Sequence, residues 1–523
     1  MAFGGYYHFM AASKSRWWAL GALALSTLAV GLDGTVLSVA LPTLARDLDA
    51  STSDLQWFTN AYLLVLAAAL LPAGMLGDRF GRKRMLLGSL VVFGAASVAC
   101  TYAASTGQLV AARAALGLGA AVIMPLTSSV LTVLFDADER PRALTVWVTA
   151  SALGVPLGPL VGGFLLDNFW WGSVFLINVP LVLVALLAVA LWVPESHGDR
   201  ARRFDPLGVL LSGAGLVAFT YGIIEAGSRG WSDARSLATI AAAVVLLAGF
   251  VAWQRRVRAP LVDLALFRSR GFTWGAIMST AASFGMFGLL FALPQYFQAV
   301  GGQDALGTGL RLLPVIGGLL VGARLAGRVV PRIGAKLVVA LGLALMAAGL
   351  AMGATTGAGT GYGIVAIWVS VAGVGMGFTM PPSMNAALSA LSAERSGVGS
   401  GLLQAMRQIG SAVGVAVLGT VLNSGYRDAV DVASLPAGTG EAVRRSASAG
   451  VAVAGRLGDP GLLDSVRSAF VHGMDLSLIV AAVVAAGGAV LALAFLPARP
   501  QLRPTEAVPP SPVSAPAAAE SAV

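Results

Sequence analysis

The chain has 523 residues, of which 57% are hydrophobic and 11% charged, whereas a soluble globular protein carries roughly 25% charged residues. With a mean hydropathy of +0.81, this composition excludes an ordinary soluble enzyme. The single cysteine, Cys100, and the lack of a C-x-x-C motif exclude disulfide, thiolate-metal and dithiol redox chemistry. No G-x-x-x-x-G-K-[ST] loop occurs, so ATP is not expected as the direct energy source. The three histidines lie outside the long apolar runs, which argues against a metal site in the membrane.

Fourteen apolar runs are long enough to cross a bilayer, since a membrane helix needs about 20 residues. The first run contains Asp33 and is followed by no small-residue cleavage site, so it is predicted to be a retained helix and not a signal peptide. The predicted spans 1 to 14 cover residues 17–42, 54–77, 84–104, 108–134, 141–166, 171–193, 205–226, 236–254, 271–299, 307–330, 335–354, 362–388, 395–422 and 475–496.

The basic residues fall in every second connection, which predicts the orientation because cationic loops stay in the cytoplasm. Both termini are therefore predicted to be cytoplasmic, and the net charge of +9 reflects topology and not nucleic-acid binding. The basic connections hold Lys14 and Arg16, Arg79 to Arg84, Arg140 and Arg142, Arg200 to Arg203, Arg255 to Arg270, and Arg328 to Lys336.

Three segments lie outside the spans. Residues 1–16 are predicted to be a cytoplasmic N-terminus, and residues 423–474 a long extracytoplasmic loop, because long loops are translocated largely regardless of charge. The proline-rich residues 497–523 cannot bury a core and are predicted to form a disordered cytoplasmic tail.

Three groups of residues recur in the same order at nearly constant offsets of 253 to 256 residues. They place spans 2 to 5 onto spans 10 to 13, eight spans later, so the copies share one orientation. The predicted organisation is a six-helix bundle at 17–193, two inserted helices at 205–254 and a second bundle at 271–496. The recurring groups are Gly74-x4-Arg79-x-Gly81-x-Lys83 with Gly327-x4-Arg332-x-Gly334-x-Lys336, Gly117-x-Gly119-x4-Met124-Pro125 with Gly373-x-Gly375-x4-Met380-Pro381, and Glu139-Arg140 with Gly154 and Gly158, matching Glu394-Arg395 with Gly410 and Gly414.

The connection between spans 2 and 3 carries Gly74, Asp78, Arg79, Gly81 and Arg82. A plain positive-inside loop explains the arginines but not the spacing of the glycines and the aspartate. The segment resembles the loop motif of the major facilitator superfamily, whose members have parallel six-helix halves. That resemblance implies a latch in which the aspartate and arginine join the two halves on the cytoplasmic face.

Span 5 contains Gly154, Gly158, Pro159, Gly162 and Gly163. Glycines four residues apart share a helix face and let another helix approach closely, and a proline bends the helix. Generic small-residue packing is the alternative interpretation. The full pattern resembles the motif of the proton-coupled exporters of the superfamily, which implies export.

Asp33 lies inside the apolar span 1, where an ionised carboxylate must face a wet cavity or meet a cation. A carboxyl group that takes up and releases a proton is what proton coupling requires, while a structural pair with Arg113 is the alternative. The surrounding Leu32-Asp33-Gly-Thr35 segment resembles span 1 of the fourteen-helix drug/proton antiporters. Arg113 in span 4 could instead reach the near interface, but the resemblance implies a role in proton transfer.

Glu225, at the outer end of span 7, is interpreted as an interfacial acid near Arg229 or as a second protonation site. Arg407, well inside span 13, is predicted to pair between the halves or to face the substrate cavity. Trp57, Tyr62 and Phe291 are candidates for a lipophilic cavity wall, against the alternative of packing or lipid contact.

The predicted fold is an all-α polytopic membrane protein with 14 transmembrane helices, a major facilitator fold arranged as 6+2+6. The predicted function is proton-coupled antiport that exports a hydrophobic or cationic drug or antibiotic and confers resistance. In the predicted mechanism the drug binds near Asp33 and displaces its proton. No cofactor or metal is expected, and the protein is predicted to be a monomer in the bacterial cytoplasmic membrane whose partners are the drug, protons and the lipid bilayer. The alternatives are a proton-coupled importer of a small solute and a polytopic membrane enzyme.

Overall fold

The computed structural model describes residues 3–136, 138–197, 205–391 and 393–497, without the side chains of residues 3–15, 132, 141, 152 and 393–397. The described residues are helical and contain no β-strand. Thirteen helices among them are long and apolar enough to cross a membrane, and one of these, Ala305–Gly353, contains two of the predicted spans. This confirms an all-α polytopic membrane protein with fourteen spans. The tail predicted at 497–523 lies outside the described residues except for Pro497.

The helices follow the predicted spans in chain order. Spans 1 to 5 are α1 to α5, span 6 is α6 with α7, and spans 7 to 9 are α8 to α10. Spans 10 and 11 are α11 with α12, and spans 12, 13 and 14 are α13, α14 and α17. The bounds are α1 Phe3–Asp47, α2 Thr52–Phe80, α3 Arg82–Thr101, α4 Thr106–Leu134, α5 Arg140–Asn168, α6 Ser173–Leu176, α7 Asn178–Trp192, α8 Pro206–Arg229, α9 Ala234–Gln254, α10 Arg270–Gln295, α11 Ala305–Arg311, α12 Leu313–Gly353, α13 Tyr362–Ser389, α14 Ala393–Ala429, α15 Ala437–Arg445, α16 Ala447–Leu457 and α17 Pro460–Phe495.

The two copies of the loop motif turn the chain in the same way. Gly81 ends α2 with φ 107°, and Gly334, its counterpart in the repeat, interrupts α12 with φ 83°. Glycine adopts positive φ without the steric penalty of a Cβ atom. The interruption at Gly334 therefore separates spans 10 and 11 although no loop intervenes.

Equivalent glycines make equivalent close helix contacts in the two halves. A Cβ atom on Gly154 would lie 2.7 Å from the Gly31 carbonyl carbon, and one on Gly410 would lie 2.5 Å from the Thr280 carbonyl oxygen. The internal repeat is therefore a repeat of helix packing as well as of sequence. The matching pairs are Gly154 on Gly31 with Gly410 on Thr280, Gly158 on Thr35 with Gly414 on Phe284, and Gly117 on Tyr62 with Gly373 on Val315.

The inserted helices contact both halves. α8 packs on α2 of the first half and α14 of the second, and α9 packs on α8. Asp205 joins the two inserted helices, because its carboxylate caps the Gly208 N–H at 2.9 Å and accepts hydrogen bonds from Trp253 Nε1 at 2.9 Å and Gln254 Nε2 at 2.7 Å.

The loop predicted at 423–474 is mostly helical. α14 continues to Ala429, α17 begins at Pro460, and the short helices α15 and α16 lie between them. Arg445 of this segment pairs with Asp49, which follows α1, at 2.7 Å. The apolar pattern ends before these helices do because their outer turns are polar and packed on protein. The segment thus contacts the end of the first half that is predicted to be extracytoplasmic, called the outer end below.

The halves also meet directly at the outer end. The Asp167 carboxylate at the end of α5 accepts hydrogen bonds from the backbone N–H groups of Ala305 and Leu306, at 3.1 and 2.9 Å, at the start of α11. Gln298 Nε2 donates to the Val39 carbonyl of α1 at 2.9 Å. These contacts close the outer end between α5 and α11, and the sequence analysis did not identify Asp167.

Candidate functional site

Asp33 and Arg113 form an ion pair in the interior of the first half. Arg113 Nη1 lies 2.7 Å from Asp33 Oδ2, and the two side chains are 1% and 0% exposed respectively. α1 supplies the carboxylate and α4 the guanidinium, so each charge is compensated by the other inside an otherwise apolar span. Arg113 therefore does not reach the membrane interface. The structure contains the pair of Asp33 and Arg113 that was one of the predicted alternatives.

Two further polar atoms of the pair are also bonded. Asn178 Nδ2 donates to Asp33 Oδ1 at 3.0 Å, and Arg113 Nε donates to the Phe58 carbonyl at 3.0 Å. The Arg113 guanidinium carbon lies 4.5 Å from the centre of the Tyr62 ring, within the range of a cation–π contact. Both carboxylate oxygens of Asp33 are thus occupied by side chains of the protein.

Asn178 is the member of this cluster that the sequence analysis missed. It begins α7 after a short interruption at Ile177 and is fully buried. An amide in an otherwise apolar span is a signal that could have been used, since a buried polar group needs a hydrogen-bond partner. Its effect is to fix the second oxygen of Asp33 and to orient the carboxylate toward α4.

A buried pair of this kind is held strongly in one conformation. Removing one partner of a buried ion pair costs about 3–5 kcal/mol, because the other charge is left without compensation. A proton on Asp33 would remove its charge and leave Arg113 in that uncompensated state. Protonation of Asp33 would therefore change the relative stability of conformations that keep or break the contact between α1 and α4.

The three aromatic candidates lie in different surroundings. Tyr62 packs under Arg113, and Trp57 packs against Tyr221 of α8 with ring centres 6.2 Å apart. Phe291 lines a narrow cavity of about 20 Å³ that it shares with Ser38 and Thr59 between α1, α2 and α10. Whether Trp57 and Tyr62 line a drug cavity stays a prediction, because an apolar helix gives no sequence signal for which face meets the cavity.

The glycine motif of α5 has two functions in packing. Gly154, Gly158 and Gly162 face α1, and a Cβ atom on Gly162 would lie 2.7 Å from Val36 Cγ2. Gly163 faces the other half, where a Cβ atom would lie 2.6 Å from the Ala305 carbonyl oxygen, and the Pro159 carbonyl contacts Gly309. The motif therefore brings α5 close to the helix that carries Asp33 and to α11 across the outer interface.

The loop motif between α2 and α3 forms contacts within the first half. Asp78 Oδ1 lies 2.8 Å from Arg82 Nη2, and Gly77 contacts Leu126 of α4 closely. In this structure Asp78 has no partner in the second half among the described side chains, and the latch between the halves stays a prediction. The counterpart residues Glu394 and Arg395 lie outside the described side chains.

Glu195 completes the turn of the loop motif. Its carboxylate accepts hydrogen bonds from the backbone N–H groups of Lys83 at 3.0 Å and Arg84 at 3.3 Å, at the start of α3. A Cβ atom on Gly81 would lie 2.8 Å from the Glu195 carboxylate, so a larger residue there would displace that carboxylate in addition to straining the backbone at φ 107°. Gly74, in contrast, is uncrowded, with its nearest neighbour atom, Pro125 Cβ, 3.9 Å from a built Cβ.

Glu225 is paired with Arg229 one helical turn later, at the outer end of α8. The side chains are 21% and 45% exposed. This is the geometry of the interfacial acid that was one of the two predicted interpretations. A second protonation site at Glu225 stays a prediction.

Together these features define the class of protein: a multi-pass membrane protein of two repeated six-helix halves with two inserted helices, and with a buried ion pair in the first half. The chain belongs to the Major Facilitator Superfamily, whose family model matches residues 23–415.

Relatives of similar length are known. The chain is 35% identical over 507 residues to the tetracenomycin C resistance and export protein of Streptomyces glaucescens, covering 94% of each chain. It is 35% identical over 487 residues to the multidrug efflux pump LfrA of Mycolicibacterium smegmatis, covering 92% of this chain and 96% of that protein. Its fold is similar, with a TM-score of 0.67, to a bacterial homolog of the human lysosomal transporter Spinster in an inward-facing, unoccupied conformation, with 18% identity and coverage of 92% and 98%.

Proposed function

We propose that this protein exports lipophilic drugs or antibiotics in exchange for protons, by alternating access across a bacterial cytoplasmic membrane with both termini in the cytoplasm. Export of such compounds is supported by the names of the two relatives that are 35% identical over nearly the whole chain. Proton coupling is supported by one observation above all, the fully buried pair of Asp33 and Arg113. The six-helix halves at 17–193 and 271–496 are the proposed moving bodies.

In the proposed cycle the proton competes with Arg113 for Asp33. Each oxygen of Asp33 already accepts a hydrogen bond, one from Arg113 and one from Asn178. A drug cation would have to share the carboxylate with Arg113, which argues against the simpler mechanism of direct displacement. Protonation instead frees Arg113 and weakens the contact between α1 and α4. Gly34 and Ser38, which follow Asp33 on α1, line the narrow cavity beside Phe291. In the proposed cycle this cavity widens to hold the drug, so α1 connects the proton site with the drug site.

Everted membrane vesicles test the proposal. We expect Asp33→Asn to abolish drug accumulation driven by an imposed pH gradient, while Glu441→Gln, which neutralises an acid of α15 that is 58% exposed, leaves most of it. Accumulation by the wild type that survives collapse of the proton gradient, or that is unchanged in Asp33→Asn, would refute proton coupling through this pair. Outward drug movement in the same vesicles would indicate an importer, and conversion of membrane lipids by the purified protein would indicate an enzyme.

A further inference from the structure

Arg407 lies deep in α14 and far from either end of its span. It follows the first residue of the helix by fourteen positions, which at 1.5 Å per residue is about 21 Å. An arginine side chain that far from the helix start cannot bring its charge back to the cytoplasmic interface. The charge is therefore held within the membrane-spanning part of the second half.

The guanidinium of Arg407 has only neutral partners. Nη1 donates to Gln404 Oε1 at 3.0 Å and contacts the Met384 sulfur at 3.7 Å. Nε is enclosed and has no hydrogen-bond partner, and Nη2 donates to none of the described residues but is not enclosed. No described carboxylate lies within 4.0 Å of it, so the predicted pairing between halves is not formed.

The internal repeat shows that the scaffold does not need this charge. The equivalent position in α5 is Ser151, three residues before Gly154, as Arg407 is three residues before Gly410. Both helices pack on their neighbours through the same glycines, one with a serine and one with an arginine at this place. Helix packing therefore does not explain the cation, and an ionised group inside a membrane protein is kept where it meets an opposite charge, backbone oxygens or water.

We propose that Arg407 binds an acidic group of the exported compound, such as a carboxylate, a sulfonate or an ionised phenol, so that the preferred substrates are amphiphilic anions. The inference rests on the proposed export function and narrows its substrate class. A guanidinium forms strong charge-assisted hydrogen bonds with such groups, and Nη2, which is not enclosed, is available for one. Met384 beside it is a flexible, polarisable contact for the apolar part of the ligand.

The proposal is tested with three fluorescent probes that share one ring system and differ in the head group, which is anionic, neutral or cationic: pyrenebutyrate, pyrenebutanol and pyrenebutylammonium. Each is titrated into the purified full-length protein in phosphatidylcholine nanodiscs. We expect the wild type to bind the butyrate at least tenfold more tightly than the alcohol. Arg407→Gln removes that preference, Arg407→Lys keeps part of it, and the control Arg324→Gln, which changes an exposed arginine of α12, leaves it intact.

Equal affinity of the wild type for the butyrate and the alcohol, or failure to bind the butyrate at all, overturns the proposal without any variant. A loss in Arg407→Gln of the same size for all three probes also overturns it, because it indicates a structural role. Uptake of the probes into everted vesicles is measured in parallel. Uptake that does not depend on the proton gradient refutes the proposed proton-coupled export. The preference of Arg407 for anions is judged by the binding titrations alone, so the two failures are distinguishable.

Discussion

The ion pair of Asp33 and Arg113 leads to a double-variant cycle with a definite order of stabilities. Two unit charges 4 Å apart attract by about 4 kcal/mol at an effective dielectric constant of 20, and this pair is closer, at 2.7 Å, and fully buried. We therefore expect Asp33→Asn alone to lower the free energy of unfolding by about 3–5 kcal/mol, since Arg113 is left buried without its counter-ion. Arg113→Met alone should cause a loss of the same order by leaving Asp33 unpaired.

The double variant should be more stable than either single variant. Replacing both members of a buried pair removes the uncompensated charge, and coupling energies between contacting groups reach about 3 kcal/mol. The measurement is chemical unfolding of the purified protein in mixed micelles, followed by tryptophan fluorescence. Asp49→Asn is the matched control, because it breaks an ion pair whose acid is 81% exposed and should cost no more than about 1 kcal/mol.

Two results would refute this reasoning. If Asp33→Asn unfolds at the same denaturant fraction as the wild type, the carboxyl group does not compensate the arginine charge. If the loss in the double variant equals the sum of the two single losses, the residues are not coupled, whatever their distance.

Three further predictions concern the packing and the loops. Gly154→Ala places a methyl group 2.7 Å from the backbone of α1 and should destabilise the protein by about 1–3 kcal/mol. Gly163→Ala should open the outer interface and raise the labelling of cysteines introduced there. Gly21→Ala, where the added methyl group meets no atom within 4 Å, is the neutral control for both, and equal effects of all three variants would contradict the packing argument. Burial tends to raise the pKa of Asp205, but hydrogen bonds from Trp253, Gly208 and Gln254 outweigh burial and hold the pKa below its usual value. The ionised Asp205 therefore stabilises the fold above the unfolded-state pKa of about 3.9, and this stabilisation is lost as the pH falls through the folded-state pKa. The difference in melting temperature between the wild type and Asp205→Asn should shrink on acidification, and a constant difference would contradict this prediction. Glu195→Gln removes the negative charge from the start of α3 and should lower stability by about 1 kcal/mol in a thermal melt, whereas an unchanged melt would show that the N–H groups are satisfied by other partners.

The spans and the repeat could be read from the sequence because both leave a local signal. Long apolar runs mark the helices, and the glycines at constant offsets mark the places where helices approach, such as Gly154 and Gly410. Asp33 and Arg113 were identifiable because a charged residue inside an apolar run needs a partner.

Other parts of the site could not be predicted because they depend on tertiary contacts alone. The hydrogen bonds of three such residues reach far along the chain: 145 positions for Asn178, 138 for Asp167 and 112 for Glu195. No local pattern indicates pairings over such separations. The packing partners of Trp57 and Tyr62 could not be predicted for a different reason. Lipid, neighbouring helices and a drug cavity are all apolar, so the sequence of a spanning helix does not distinguish its faces.

The two halves share their packing but not their charges, and this has an evolutionary consequence. The glycine contacts between α1 and α5 recur between α10 and α14, whereas the position of Arg113 is occupied by Val369 in the second copy. Gene duplication thus produced one scaffold twice and left each copy free to specialise. Substitutions in the second copy can therefore change the groups that its helices present to the interior without disturbing the buried pair of the first.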